Sequence, residues 1–194
     1  MWKGQGLPAD NLSQENALVI SNLPVEKVPF IVDPAEVSVK WLKTYLLENS
    51  KTGMECVASG DPRFTSQVEL CVRFGKTLLV LDVDGLDSML YPLARRDLCH
   101  EGARWVVQVG DKTLDFAESF RMVLVTRNPE PNLPPDAAAV VTEVNFTVTK
   151  SGLEGQLLSV TIQHEQPELE KQKSAMLKQE EDYKIEVAGL EQNL

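Results

Sequence analysis

The run Leu78-Leu79-Val80-Leu81 closing on Asp82 constrains the fold more than any other stretch. Consecutive apolar residues leave no polar face for water, so a strand made of them is buried on both sides. Burial on both faces is characteristic of parallel sheets, and parallel strands need long crossovers, usually helices. The chain supplies both. Val28-Pro29-Phe30-Ile31-Val32 reads as a first strand. Asp33-Pro34 follows as an N-cap residue and a proline at the first helical position, opening a helix with Val37, Trp41, Leu42, Tyr45 and Leu46 on one face. Glu55 to Ala58 is a short strand. Asp61-Pro62 opens a second helix whose buried stripe is Phe64, Val68, Cys71 and Val72, and Gly75 ends it as a C′ residue.

Beyond Asp82, Ser88 to about His100 reads as a third helix. Arg104–Val109 and Lys112–Phe116 flank Gly110-Asp111, a hairpin signal. Phe120 to Thr126 is a further apolar strand, the proline-crowded stretch 129–135 is an extended loop, a short helix starts at Asp136, and Val144 to Val148 is a last strand. Alternating strands and helices predict a three-layer αβα sandwich on a mostly parallel, five-stranded sheet. From Ser151 the character changes. Ser151-Gly152-Leu153-Glu154 is a capping box opening a helix to about Gln163, and Pro167 starts another that runs to the end. Leu169, Met176, Tyr183 and Leu190 fall seven apart there, and four positions further on only Val187 and Leu194 are apolar. The half-filled seam fits a helix on a coiled-coil partner and equally an amphipathic helix on its own domain. The chain thus divides into an entry segment (1–27), an α/β domain (28–150), a connecting helix (151–166) and a long helix (167–194).

The chemistry is less regular than the fold. Gly75-Lys76-Thr77 imitates the tail of a phosphate-binding loop, G-x-x-x-x-G-K-[ST], but Leu70 stands at the earlier glycine. Such a loop follows a strand and opens a helix; here Gly-Lys-Thr ends a helix and opens a strand. The junction where phosphates should sit, after the first strand, is Asp33-Pro34-Ala35-Glu36-Val37-Ser38-Val39-Lys40. It has no glycine, Pro34 removes one N–H, and two carboxylates stand where an anion would bind. The Asp33 carboxylate is expected to cap the helix in the role a phosphate would play. Lys40 is a candidate remnant phosphate lysine and equally an ordinary solvated residue.

Asp82 is placed like a magnesium-organising aspartate, although the following position, where an acid would orient water, is Val83. Asp82, Asp84 and Gly85 read alternatively as a turn. Asn128 is placed like a residue that senses a γ-phosphate, and alternatively as an Asn-Pro turn. Arg95-Arg96 reads as a salt-bridged helix face or as a contact to a neighbouring subunit's nucleotide. A net charge of −10 disfavours a nucleic-acid or anionic-membrane surface, and no apolar run is long enough to span a bilayer. The three cysteines and two histidines lack metal-ligand spacing.

As a set, several segments resemble the fifth AAA+ module of a dynein heavy chain, and within that family the branch driving retrograde intraflagellar transport. They are Gly6-Leu7-Pro8 through Glu15-Asn16-Ala17, Phe74-Gly75-Lys76-Thr77-Leu78, Leu90-Tyr91-Pro92-Leu93 with Arg95-Arg96-Asp97-Leu98, and Val107-Gln108-Val109-Gly110-Asp111-Lys112. Thr126-Arg127-Asn128-Pro129, Pro134-Pro135-Asp136-Ala137-Ala138, Thr142-Glu143-Val144-Asn145-Phe146-Thr147, Gln163-His164-Glu165 and Pro167-Glu168-Leu169-Glu170 complete it. The resemblance implies one of six linked modules in a ring, driven by ATP and magnesium held in other modules. It implies that this module does not hydrolyse ATP and needs no cofactor of its own. Residual nucleotide contact through Lys40, Asp82 and Asn128 stays open as an alternative, as does a free-standing coiled-coil adaptor. The implied partners are the neighbouring modules and stalk of the same chain, microtubules through the stalk, and dynein intermediate and light chains. The implied location is cytoplasm, cytoskeleton and cilium. Residues 1–27 would enter from the preceding stalk or small domain. Residues 167–194 would form the first arm of a buttress hairpin, with Leu169, Met176, Tyr183, Val187 and Leu190 as its interface. The place of an arginine that reaches a neighbour's nucleotide is taken by Glu143.

Overall fold

A computed structural model describes residues 2–7 and 10–147, together with helical positions 153–154, 157–158, 161, 164–165 and 176. The chain forms two compact units, Met1–Thr147 and Val148–Leu194. In the first, five strands lie in the order β2-β3-β7-β1-β8, all parallel. They are β1 (Val28–Val32), β2 (Met54–Ala58), β3 (Thr77–Leu81), β7 (Arg121–Thr126) and β8 (Val141–Asn145). A separate antiparallel sheet holds β4 (Leu98–Glu101), β5 (Arg104–Val109) and β6 (Lys112–Asp115).

The period of two along each strand sorts the core into two layers. Phe30, Val32, Leu78, Val80, Met122 and Leu124 face one cluster, with α3 (Phe64–Phe74), α4 (Tyr91–Arg95) and the β5–β6 hairpin over it. Ile31, Leu79, Val123 and Val125 face the other, covered by α1 (Asn11–Asn22) and α2 (Val39–Asn49) through Ala17, Ile20, Trp41, Leu42 and Leu46. Burial on both faces is what the apolar strand required. The entry segment thus contributes Leu7, Ala17 and Ile20 to a shared core; Asp10 caps α1 by accepting from Ser13 N–H at 2.9 Å.

The α3 reading stands: Phe64, Val68, Cys71 and Val72 are buried, and Gly75 closes the helix at φ 64° with its N–H donating to the Cys71 carbonyl. The structure departs from the sequence expectation in three places. Residues 88–100 do not form one helix: a 3-10 turn, Ser88–Leu90, leads into the short α4, Arg96 turns left-handed at φ 54°, and Leu98–Glu101 becomes a strand paired antiparallel with Arg104–Val107. Cross-strand pairing overrides the local helical pattern there. The last strand of the sheet is Val141–Asn145, three residues earlier than expected, directly after α5 (Pro135–Val140). Helix α2 begins at Val39 rather than after Asp33, because Glu36 takes a left-handed φ of 53° and interrupts the first turn. The interface positions Leu169, Tyr183, Val187 and Leu190 lie outside the described residues; Met176 is helical and 69% exposed.

Candidate nucleotide-site remnant

The carboxyl ends of β1, β3 and β7 are adjacent in the sheet, the place where open α/β sheets bind ligands. The β1–α2 junction is closed by its own aspartate. Asp33 is fully buried, and its N–H donates to the Thr126 carbonyl at 2.8 Å, tying the loop to β7. Its Oδ1 accepts from Val37 N–H at 3.0 Å, and its Oδ2 accepts from Ser38 N–H at 2.7 Å and from the Ser38 hydroxyl at 2.5 Å. These donors lie just ahead of α2, where backbone N–H groups and the helix dipole favour negative charge. A carboxylate belonging to the chain already occupies that environment, as the sequence anticipated, although as a cap on the loop rather than at the first turn of a regular helix.

Asp82 stands at the end of β3 with φ 58°, an uncommon conformation for a side chain other than glycine, asparagine or a capping aspartate. Its carbonyl accepts from the Ser59 hydroxyl at 2.6 Å, which fixes the turn. Val83 is 3% exposed and packs in the core, its N–H donating to the Val125 carbonyl at 3.0 Å. The position where a water-orienting acid would stand therefore points into hydrocarbon. A cleft of about 340 Å³ runs from Ser59 and Asp82 to Asp87, with Phe64, Val80 and Leu90 lining its apolar side.

Asn128 is exposed and makes a turn: its N–H donates to the Thr126 hydroxyl at 3.0 Å and its Oδ1 accepts from Glu130 N–H at 3.1 Å. Lys40 is exposed in the first turn of α2, its methylene stem lying beside Gly6. The residue that sequence reasoning passed over is Arg127, one step past β7. Its Nε lies 2.5 Å from Asp82 Oδ1 and its Nη1 3.4 Å from Glu36 Oε1, so one guanidinium joins β3's end to the β1–α2 loop. Nothing in sequence spacing links these three residues; only the strand order β3-β7-β1 brings them together.

The tandem arginines do different jobs. Arg95 pairs with Asp97 at 3.0 Å and lies over the Tyr91 ring. Arg96 turns inward, donates to the Val25 carbonyl at 2.9 Å and to the Phe120 carbonyl at 3.3 Å, and covers the Phe116 ring. Glu143 is exposed on β8. The Gly75-Lys76-Thr77 stretch holds no anion-binding turn: Lys76 Nζ pairs with Glu55 at 2.7 Å and Thr77 begins β3. Among the described residues no group of three or more His, Cys, Asp or Glu side chains could hold a metal ion, and no helix is long and apolar enough to cross a membrane.

A parallel five-stranded sheet flanked by helices, with strand-end polar residues at the β1–α2 junction and the ends of β3 and β7, is the large α/β subdomain of the AAA+ class. The family described as the ATP-binding dynein motor region matches residues 1–194, and the chain belongs to that family. It is 54% identical over 194 residues to cytoplasmic dynein 2 heavy chain 1 of Homo sapiens, a match that covers 100% of this chain and 4% of that protein. The same-named protein of Chlamydomonas reinhardtii is 53% identical over 193 residues, again covering 100% of this chain and 4% of the relative. The dynein gamma chain of the flagellar outer arm of that alga is 37% identical over 194 residues, with the same coverage. The chain therefore spans 4% of the length of these relatives.

Proposed function

We propose that the chain is a non-hydrolysing AAA+ module of a dynein heavy chain, the fifth of the ring, that relays ATP-driven ring motion to the microtubule-binding stalk. The reading extends to retrograde ciliary transport, because cytoplasmic dynein 2 heavy chains are the relatives of highest identity reported above. Its partners would be the adjacent modules and stalk of the same heavy chain, microtubules through that stalk, and intermediate and light chains through the rest of the protein. Its setting would be cytoplasm, cytoskeleton and cilium.

The observation that carries the non-hydrolysing part is the buried Asp33 carboxylate, which takes the donors a phosphate would need. A second anion brought beside it would be repelled at short range in a medium of low dielectric. Spacing supports the same reading. Counted from Asp33 in G-x-x-x-x-G-K-[ST], Ser38 takes the second glycine's place and Val39 the lysine's, leaving Lys40 one position late. Val83 removes the acid that would activate water.

The test is calorimetric titration of the chain with ATP and Mg²⁺, paired with thermal unfolding in the same buffer. No saturable heat and no rise in Tm are expected. Micromolar binding that Asp82→Ala abolishes would establish instead the second reading, a retained nucleotide site using Lys40, Asp82 and Asn128; a bound nucleotide necessarily stabilises the state that binds it.

A further inference from the structure

Arg127 is a cation set between two acidic groups, one of which, Asp82, lines the cleft at the end of β3. Its guanidinium contacts Asp82 at 2.5 Å and Glu36 at 3.4 Å, from elements that are separate in sequence and adjacent in the sheet. Both acidic residues hold left-handed backbone, φ 53° at Glu36 and 58° at Asp82. This conformation costs each of them energy relative to the ordinary region and is retained where surrounding contacts compensate. The arginine supplies such a contact to both. A planar guanidinium has donors on several edges, so it can serve two carboxylates at once, which a lysine ammonium does with less directional control. The three side chains are between 41% and 57% exposed, so a lone pair here would contribute little; what distinguishes this one is that a single cation joins two loops.

We propose that Arg127 is a built-in counter-cation that latches the end of β3 to the β1–α2 loop and excludes a divalent cation from Asp82. The inference rests on the non-hydrolysing reading above and adds a specific device to it. Asp33 occupies the anion's place with a carboxylate; Arg127 occupies the cation's place with a guanidinium. The remnant is therefore closed by an internal pair of opposite charges, and strand β3 and the loop entering α2 move as one body without any ligand. Removal of the arginine leaves Asp82 and Glu36 facing an emptied position with no internal counter-charge. Hard oxygen donors of this kind suit Mg²⁺ or Mn²⁺.

The test compares the wild-type chain with Arg127→Ala and Arg127→Lys, using Mn²⁺ without nucleotide as the probe. Bound Mn²⁺ is counted by electron paramagnetic resonance and Tm is followed at constant ionic strength. Arg127→Ala is expected to melt about 1–4 °C lower than wild type, in keeping with loss of a surface charge network from a chain of this size. It should also gain millimolar Mn²⁺ binding that restores Tm, and the added substitution Asp82→Asn should remove that binding. Arg127→Lys should keep the cation and bind no Mn²⁺. The proposal fails if Arg127→Ala melts with wild type, or if it melts lower but neither binds Mn²⁺ nor recovers with it. It fails equally if wild type and Arg127→Ala bind Mn²⁺ alike. Nucleotide binding by the wild-type chain is read in a separate assay and would refute the non-hydrolysing reading, not the latch.

Discussion

Replacing Asp33 by alanine tests whether a carboxylate holds the β1–α2 loop in the way a phosphate otherwise would. The side chain is fully buried and accepts three hydrogen bonds, two from backbone N–H groups and one from the Ser38 hydroxyl. The hydroxyl can rotate toward another acceptor. The Ser38 N–H, in a buried residue, cannot, and the Val37 N–H is partly shielded. A hydrogen bond to a charged acceptor contributes about 1.5–3 kcal/mol net, and stranded buried donors raise the cost of losing it. Two such bonds, one of them partly solvated, make the expected loss about 3 kcal/mol. For a chain of this length that corresponds to a fall in Tm of about 6–12 °C. Asp33→Asn keeps one carbonyl acceptor and should fall between alanine and wild type.

Differential scanning calorimetry measures this directly. A series in inorganic phosphate adds a second reading: the amides freed in Asp33→Ala should accept the anion, raising the variant's Tm while leaving wild type unchanged at matched ionic strength. An Asp33→Ala variant that melts within about 2 °C of wild type would refute the reasoning, since a shift that small corresponds to no more than about 1 kcal/mol. It would mean that the loop is held by the Asp33 N–H bond to Thr126 and by packing, with the carboxylate incidental.

Two further outcomes follow from the structure. Gly75→Ala adds a Cβ 2.0 Å from the Ser119 Oγ at a left-handed φ of 64°, and moving Ser119 away breaks its 3.0 Å bond to the Gly75 carbonyl. A loss of about 2 kcal/mol or more is expected in urea unfolding, and an unchanged midpoint would show that this helix end relaxes freely. Burial, and then the nearby Glu55, push the Cys71 thiol up to about 11, and the side chain is fully covered. At neutral pH the thiolate that alkylates is scarce, so iodoacetamide followed by mass spectrometry should label the exposed Cys99 in the folded chain and Cys71 only in denaturant; labelling of Cys71 at the Cys99 rate would contradict the packing of α3.

Local readings succeeded where one element's own pattern decided the outcome. Helix α3 announced its buried stripe and its glycine end, and the β5–β6 hairpin announced its turn, because both signals lie within a dozen residues. Failures came where a partner elsewhere decided. Leu98–Glu101 continues a helical pattern on paper and becomes a strand because β5 offers it a ladder. Helix α1 carries no legible signal in the sequence: its buried positions are Ser13, Ala17 and Ile20 while Leu12, Leu18 and Val19 face outward, so its apolar pattern does not mark the buried face. At the site, the loss of glycines and the presence of Val83 were visible in the chain itself. Arg127 was not, because an ion pair between residues distant in sequence has no periodicity to betray it.

The apolar run into Asp82, read with the strands and helices that alternate around it, determined that this protein would be built on a parallel sheet covered on both faces, since consecutive hydrocarbon side chains need shelter on both sides of the strand. The β1–α2 junction, without glycine and with two acids, argues by itself against a phosphate there. The same stretch marked Asp33 as the group that takes a phosphate's place at the amides. Only the tertiary structure brought Arg127 to the acids: strand order β3-β7-β1 sets three chain segments side by side, and the guanidinium one step past β7 then meets Asp82 and Glu36. Side-chain charge is written in the sequence; which charges meet depends on the order in which the strands are laid down.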